Sequence, residues 1–574
     1  MNLKLLPLLL AALVPSAYGE LAVHSLFTHG VVLQRSQAVP VWGTASPGAK
    51  IDVAFAGQQI SITADASGHW RGRLNPLEAS ATPRQLVVTG DHGTLTVENV
   101  LVGDVWLVSG QSNMDLPLRS TQVQPEMTAE LDDPLIRFFK VARGTAGEPQ
   151  SSVKGKWTPV SASSSRELSA VGYFFAQELR KTHKVPVAII HSAWGGTRIK
   201  VWTPLSAYEA APPLQKLLDE WKVGQRKSLA ARSHPELLAA YYQDYQDWEK
   251  NVEEPHNRAH KAWQAAATQA KAEGQSVPPA PVLSRPKPQN PDPFAGPTPG
   301  TYERPLIASL AYNAMIAPLV PFALQGVVWY QGEHDASNGL AYRDYLSRLI
   351  QGWRGSWEQN NLPFLVVQLP GYGKNAEPVA TQPNNIAWLR EAQALAARTL
   401  PQVGLVVTSD IGDPNDVHPA NKSHVGVRLA LAARELVHRE PGLVGLSPRY
   451  DRNEINGPSV KVSFVGAGSG LEPNVAPWVA PKGVALPTDK VIGFFLAGAD
   501  KKWAPAEARI VGSDVVLTSA SVSAPVAVRY AWASTPQANL YNREGLPVTP
   551  FRTDDWDTAS PRAAGSKAAE PDSP

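Results

Sequence analysis

GDVWLVSGQSNM, residues 103–114, reads as a short buried strand, Val105 to Val108, that runs into a tight turn carrying Ser112. Four consecutive apolar residues suit a strand covered on both faces. Gly110 lets the backbone turn sharply, which leaves Ser112 at the C-terminal edge of a sheet, where open α/β sheets bind their ligands. A hydroxyl held there is placed to act as a nucleophile. A serine before Asn113 also suits the cap of a following helix, so the rest of the chain has to decide between the two.

Outward from that stretch the hydrophobic period changes twice. Residues 20–100 alternate apolar and polar with frequent turn signals, the pattern of an N-terminal β-sandwich domain. In 101–204, Leu168, Val171, Phe174, Phe175 and Leu179 recur at helical spacing before a buried strand, Val187 to Ile190, that ends near Gly195 and Gly196. Helix then buried strand is the unit of a parallel α/β sheet. The same pattern resumes over 301–441, in GVVWYQGEHD, LPFLVVQLPG and VGLVVTSDIGD. Between the two halves, 205–300 reads as an insertion: a helical hairpin or lid, then a proline-rich extended segment. Residues 442–556 return to alternation, a C-terminal β domain, and 557–574 lack the apolar content to fold.

Composition bounds the class. The chain has 574 residues, 43% hydrophobic and 18% charged, which is globular and too long for one core. A net charge of +2 with no long basic block gives no footprint for nucleic acid or an anionic membrane. Lys4, the apolar run Leu5 to Val14 and Ala17-Tyr18-Gly19 form a three-part signal peptide over residues 1–19, so we expect an exported protein, periplasmic or extracellular. No later run is apolar for long enough to span a bilayer. The absence of cysteine excludes thiol nucleophiles and zinc-thiolate sites, and an exported chain without disulfides fits a bacterium.

Each strand of the second α/β half delivers polar residues at its C-terminal end: Gln331, Glu333 and Asp335, then Gln368, then Asp410, Asp413, Asp416 and His418. A serine hydroxyl needs a neutral imidazole to take its proton and a carboxylate to orient that imidazole. Ser112, His418 and Asp416 supply the three, with Asp413 as the other carboxylate in reach of the histidine's loop. An oxyanion needs donors aimed at it in advance. The backbone N–H of Ser112, an N–H at Gly195 or Gly196, and the side-chain amide of Gln331 are the candidates, and Asn113, Glu333 and Asp413 are candidates for substrate contacts.

GQSNM, WGGT, WYQGE and DVHP, in this order, resemble the sialate O-acetylesterase family of carbohydrate esterases, within the SGNH-hydrolase superfamily. LFTHGVVLQR, YNAMIAPL and LPVTPFRTDDW extend the similarity over most of the chain outside the insertion. The resemblance implies a flavodoxin-like three-layer α/β/α domain flanked by β domains, with no metal or cofactor, that hydrolyses acetyl esters on an acetylated carbohydrate. It also implies Ser112 as nucleophile, His418 as base, Asp416 as its partner, and Gly195 or Gly196 with Gln331 as oxyanion donors. The family's usual Gln-Gly-Glu-Ser-Asn reads here Gln331-Gly-Glu-His-Asp335, and the superfamily's oxyanion asparagine is absent. The competing reading is a non-catalytic carbohydrate-binding protein built on a degenerate esterase scaffold, its 17 tryptophans stacking on sugars.

Overall fold

One strand, β1 (Gly93–Gly110), belongs to two parts of the molecule at once. Its first half pairs with Ser80–Gly90 and Val32–Gln34 of the N-terminal β region. Its second half is the centre of the α/β sheet, so the boundary expected near residue 100 falls inside a single continuous strand. The hydrophobic core is shared across that boundary, running from Leu26 and Val53 through Trp106 to Leu429. This computed structural model describes residues 19–121, 131–209, 211–296, 304–373, 385–475 and 486–556. The segment read as a signal peptide, apart from Gly19, and the tail 557–574 lie outside the described residues.

The other strands of the central sheet are β2 (Ile136–Lys140), β3 (Trp157–Pro159), β4 (Val187–Ala193), β5 (Gly326–Tyr330), β6 (Phe364–Val367) and β7 (Val403–Val406). Their order is β3-β2-β4-β1-β5-β6-β7, with only the edge pair β3–β2 antiparallel. From β1 the chain builds to one side and then to the other, so the strand order reverses beside β1. The crevice at that reversal, outside the carboxyl ends of the strands, is where such sheets bind ligands.

Every residue of β4, β5 and β6 is buried, as is β1 from Val100 onward, which requires cover on both faces of the sheet. The cover is helical. Helix α2 (Ala170–His183), capped by the Ser169 hydroxyl accepting from Gly172 N at 3.1 Å, packs on α5 (Ser423–Leu436), while α3 (Gly339–Ser356) packs on α4 (Asn385–Thr399). Gly426 permits the first pairing, because a Cβ there would lie 2.4 Å from Phe174 Cβ. The mixed α/β class with flanking β sheets read from the sequence is thus the observed one.

The described residues of 449–475 and 486–552 form two four-stranded sheets and a two-stranded one around a separate core that includes Val462, Leu496 and Val528. The buried Arg390 ties this unit to the α/β sheet, donating to the carbonyls of Ala533 (2.7 Å), Ser534 (2.9 Å) and Pro370 (2.6 Å). In the insertion the helix Gln215–Ser233 ends at His234 and is followed by one continuous helical run, Pro235–Trp248 and Glu254–Ala272 joined through the π turn Glu249–Glu253. Its proline-rich return is held by indole N–H groups, Trp248 on Arg285 O (3.1 Å) and Trp263 on Pro278 O (2.8 Å).

Where β1 enters the α/β sheet, Asp104, His183 and His438 bring three metal-type donor atoms within 4.8 Å of one another. Both oxygens of Asp104 are taken by the Arg35 guanidinium, at 2.7 and 3.0 Å, and His183 Nε2 meets Glu440 at 2.8 Å. A cation at that point would face a fixed positive charge, and the cluster works instead as a charged clamp between the N-terminal β region, α2 and the end of α5.

Candidate active site

The turn after β1 is built on close approach. Gly110 has φ of +144°, and a Cβ there would lie 2.0 Å from Tyr330 O, so no side chain fits where β1 and β5 end together. Ser112 follows as the first residue of a short helix, α1 (Ser112–Asp115), half-buried at the rim.

His418 arrives from the loop after β7, three strands away, or roughly 14 Å at the usual strand spacing. That loop is anchored at its start by Arg428, whose guanidinium takes both oxygens of the buried Asp410 (2.7 and 2.6 Å), with Tyr541 donating to the same carboxylate at 2.8 Å. It is anchored again at Val417, whose carbonyl accepts from Asn113 at 2.9 Å. Between these anchors the imidazole reaches back, and His418 Nε2 lies 2.8 Å from Ser112 Oγ.

The carboxylates near that imidazole are weakly engaged. Asp416 Oδ1 accepts the backbone N–H of His418 at 2.8 Å and lies 4.0 Å from its Nδ1, beyond hydrogen-bond range, with the side chain 60% exposed. Asp413 caps the N–H of Asn415 at 2.8 Å. Of the two, only Asp416 faces the ring. Burial and the nearby Lys422 ammonium hold the His418 imidazole below its ordinary pKa, with Asp416 pulling weakly the other way.

Gly195 lies against the serine: a Cβ on it would be 3.4 Å from Ser112 Cβ. Among the described residues neither the Ser112 nor the Gly195 amide N–H is committed to a hydrogen bond, so both are available to an oxyanion at the serine. Gly196, at φ +70°, is overlaid by Arg304, whose Nη1 would be 2.6 Å from a Cβ there.

The amide of Gln331 is differently placed. It is fully buried, and its Nε2 faces Gln111 Oε1 (3.1 Å), Thr197 O (3.1 Å) and Asp335 Oδ2 (2.7 Å), while its Oε1 accepts from Tyr342 (2.8 Å). Two N–H groups with three acceptors in range leave none over for an oxyanion, and the expected donor is instead a strut between the serine turn, the glycine turn and β5.

A match to the family model described as "Carbohydrate esterase, sialic acid-specific acetylesterase" covers residues 102–257 and 302–435, together half of the chain, and includes Ser112, Gly195, Gln331, Asp416 and His418. The chain belongs to this family. The esterase is 27% identical to mouse sialate O-acetylesterase over 91% of its own length and 92% of that protein's, and 24% identical to the human one over 92% and 91%. A solved carbohydrate acetylesterase from Xanthomonas citri is 34% identical, with a TM-score of 0.70 over 93% of this chain and all of that one.

Three residues of the esterase's site are not evident in the sequence. Tyr342, on α3, holds Gln331, and Gln111 accepts from Gln331 and from the backbone N–H of His334 (3.3 Å). The third is Lys422, fully buried, whose Nζ donates to Asn113 Oδ1 at 2.6 Å. A lysine just before a helix sits at the wrong end of the helix dipole, and that mismatch is the one sequence signal that marks it. Asn113 and Glu333, expected to contact substrate, are hydrogen-bonded to each other beneath the serine.

Proposed function

We propose that the protein is an exported carbohydrate O-acetylesterase that works through an acyl-enzyme on Ser112. The observation that carries this reading is the 2.8 Å contact between His418 Nε2 and Ser112 Oγ. His418 takes the hydroxyl proton as Ser112 Oγ bonds to the acetyl carbonyl carbon. The resulting oxyanion is met by the backbone N–H groups of Ser112 and Gly195. On collapse the C–O bond to the sugar breaks, and His418 returns the proton to the sugar oxygen. Water then attacks the acetyl-serine, His418 accepts its proton, and acetate leaves while Ser112 Oγ is reprotonated. Asp416, 4.0 Å from Nδ1, stabilises the imidazolium through its charge.

Two acetylated substrates fit this chemistry, O-acetylated sialic acid and acetylated plant polysaccharide such as xylan or xyloglucan. One feature favours a sugar that carries a carboxylate. Arg304 overlies Gly196 beside the serine, its charge and that of Arg198 both reach His334, and among the described residues neither arginine has an acidic partner within 4.0 Å. Unpaired guanidinium groups at a rim are the standard recognition element for a carboxylate.

The test is covalent labelling with a fluorophosphonate, read by mass spectrometry, together with acetate release from acetylated sialosides, xylan and xyloglucan. Modification of Ser112 with loss of acetate release supports the reading. A Ser112→Ala protein that releases acetate at the wild-type rate overturns the serine mechanism, and a wild-type protein that takes no label and releases no acetate leaves the binding-protein alternative.

A further inference from the structure

Beneath the Ser112–His418 pair lies a group of buried charges to which the proposed reaction gives no role. Lys422 directly precedes α5 and has no exposed surface; its Nζ donates to Asn113 Oδ1 at 2.6 Å and lies 5.6 Å from the centre of the Tyr330 ring. Asn113 is the residue after the nucleophile. Its amide donates to Glu333 Oε1 and, at 2.9 Å, to the carbonyl of Val417, the residue before the histidine. Glu333 Oε2 is buried without a hydrogen-bond partner. Lys422 therefore locks one end of a side chain whose other end joins the serine turn to the histidine loop.

Neutral side chains can join two loops at lower cost, because burying an ammonium and a carboxylate carries a desolvation penalty of several kcal/mol per ion. A charge kept in such a place has an electrostatic effect on whatever lies above it. We propose that Lys422 is a positioning residue of this site: its buried ammonium, locked on Asn113, holds the serine turn against the histidine loop and makes the competence of the Ser112–His418 pair depend on its charge. This rests on Ser112 and His418 being nucleophile and base.

The groups that bear on the His418 imidazole are Asp416 from its own loop, Lys422 from the start of α5, and Ser112 from α1; Lys422 in turn faces Glu333, Asp416 and the Tyr330 ring. Burial brings Lys422 down to about 7, with Glu333 and Asp416 opposing the fall. Below that pH the ammonium is charged and opposes protonation of the imidazole. Removing it lets His418 protonate more easily, so activity is lost at a higher pH.

The experiment is the pH profile of kcat/KM for p-nitrophenyl acetate, from pH 4 to 9, in the full-length protein, Lys422→Met and Lys422→Arg. In Lys422→Met the acid limb moves up by roughly half a pH unit or more, as expected for loss of a nearby like charge, and plateau kcat falls with KM little changed. Lys422→Arg, which keeps the charge, leaves the limb at its wild-type pH. A Lys422→Met protein with wild-type circular dichroism whose limb does not move, or moves down, overturns the proposal. Should that variant not fold, Lys422→Gln provides the second reading: it keeps an amide donor for Asn113 Oδ1 without the charge and moves the limb up, and an unmoved or lowered limb overturns the proposal. Failure of the serine mechanism itself registers separately, as activity in Ser112→Ala.

Discussion

His418 Nε2 and Ser112 Oγ lie 2.8 Å apart although 306 positions of chain separate them. The contact makes activity depend on a neutral imidazole, and burial followed by the Lys422 charge holds that imidazole below its ordinary value. Catalysis should therefore rise with pH along a limb whose midpoint lies below about 6.5, the unperturbed histidine value. Stability changes in the same window. His24, His191 and His438 are each brought down by burial to about 4, so the unfolded chain binds more protons than the folded one below about 6.5, and stability falls as pH drops from there towards 4. Kinetics paired with circular dichroism at each pH separates the two losses; a kcat/KM limb above pH 7 contradicts the first.

Asp416 contributes less than the carboxylate of a buried triad. It is mostly exposed and lies 4.0 Å from Nδ1, so water screens its charge. Asp416→Asn retains an oxygen for the His418 backbone N–H and removes only the charge. We expect a fall in kcat of about tenfold, against the roughly 10⁴-fold loss seen when a buried triad aspartate is neutralised. Asp413→Asn, which touches only the Asn415 N–H, should stay within about twofold of wild type. A larger loss for Asp413→Asn than for Asp416→Asn assigns the orienting role to Asp413.

The sheet edge that brings Ser112 and His418 together was legible because each strand's apolar run stops at its polar residues. The start of the α/β sheet was less legible. Alternation ends near Val100 where β1 passes from one covered face to two, and a change of cover within one strand reads in sequence as a change of domain. The buried setting of Gln331 was hidden for a different reason. Its partners Gln111, Thr197 and Tyr342 come from three distant segments, so nothing local showed that its N–H groups were already taken. Lys422 reads as a solvated residue before a helix, and only the tertiary contact with Asn113 gives it another role.

Arg304 should separate substrate recognition from ester chemistry. Its guanidinium overlies Gly196 without an acidic partner among the described residues, so Arg304→Ala removes a carboxylate contact and leaves Ser112 and His418 in place. For acetylated sialosides we expect KM to rise by about tenfold or more, in the range of a lost charged hydrogen bond, with kcat nearly unchanged. Neutral p-nitrophenyl acetate should show neither effect. An equal loss on both substrates places Arg304 in the chemistry, and no loss on either removes the preference for an acidic sugar.

Gln331 provides the sharpest distinction between a structural and a catalytic amide. Losing an oxyanion donor costs about 10²–10³ in kcat while the fold stays intact. Gln331→Ala instead opens a buried gap and leaves Asp335, Tyr342 and Gln111 short of partners, each unmet group worth about 1–3 kcal/mol. The strut reading therefore expects a fall in Tm of several degrees, with kcat per folded molecule kept within about tenfold. Burial already pushes the Asp335 carboxyl up, with hydrogen bonds from Ile199 N and Gln331 holding it down. Without Gln331 that carboxyl moves further up, and the variant should lose less stability at pH 5 than at pH 8. Wild-type Tm at both pH values with kcat reduced 10²-fold would restore Gln331 to the oxyanion hole.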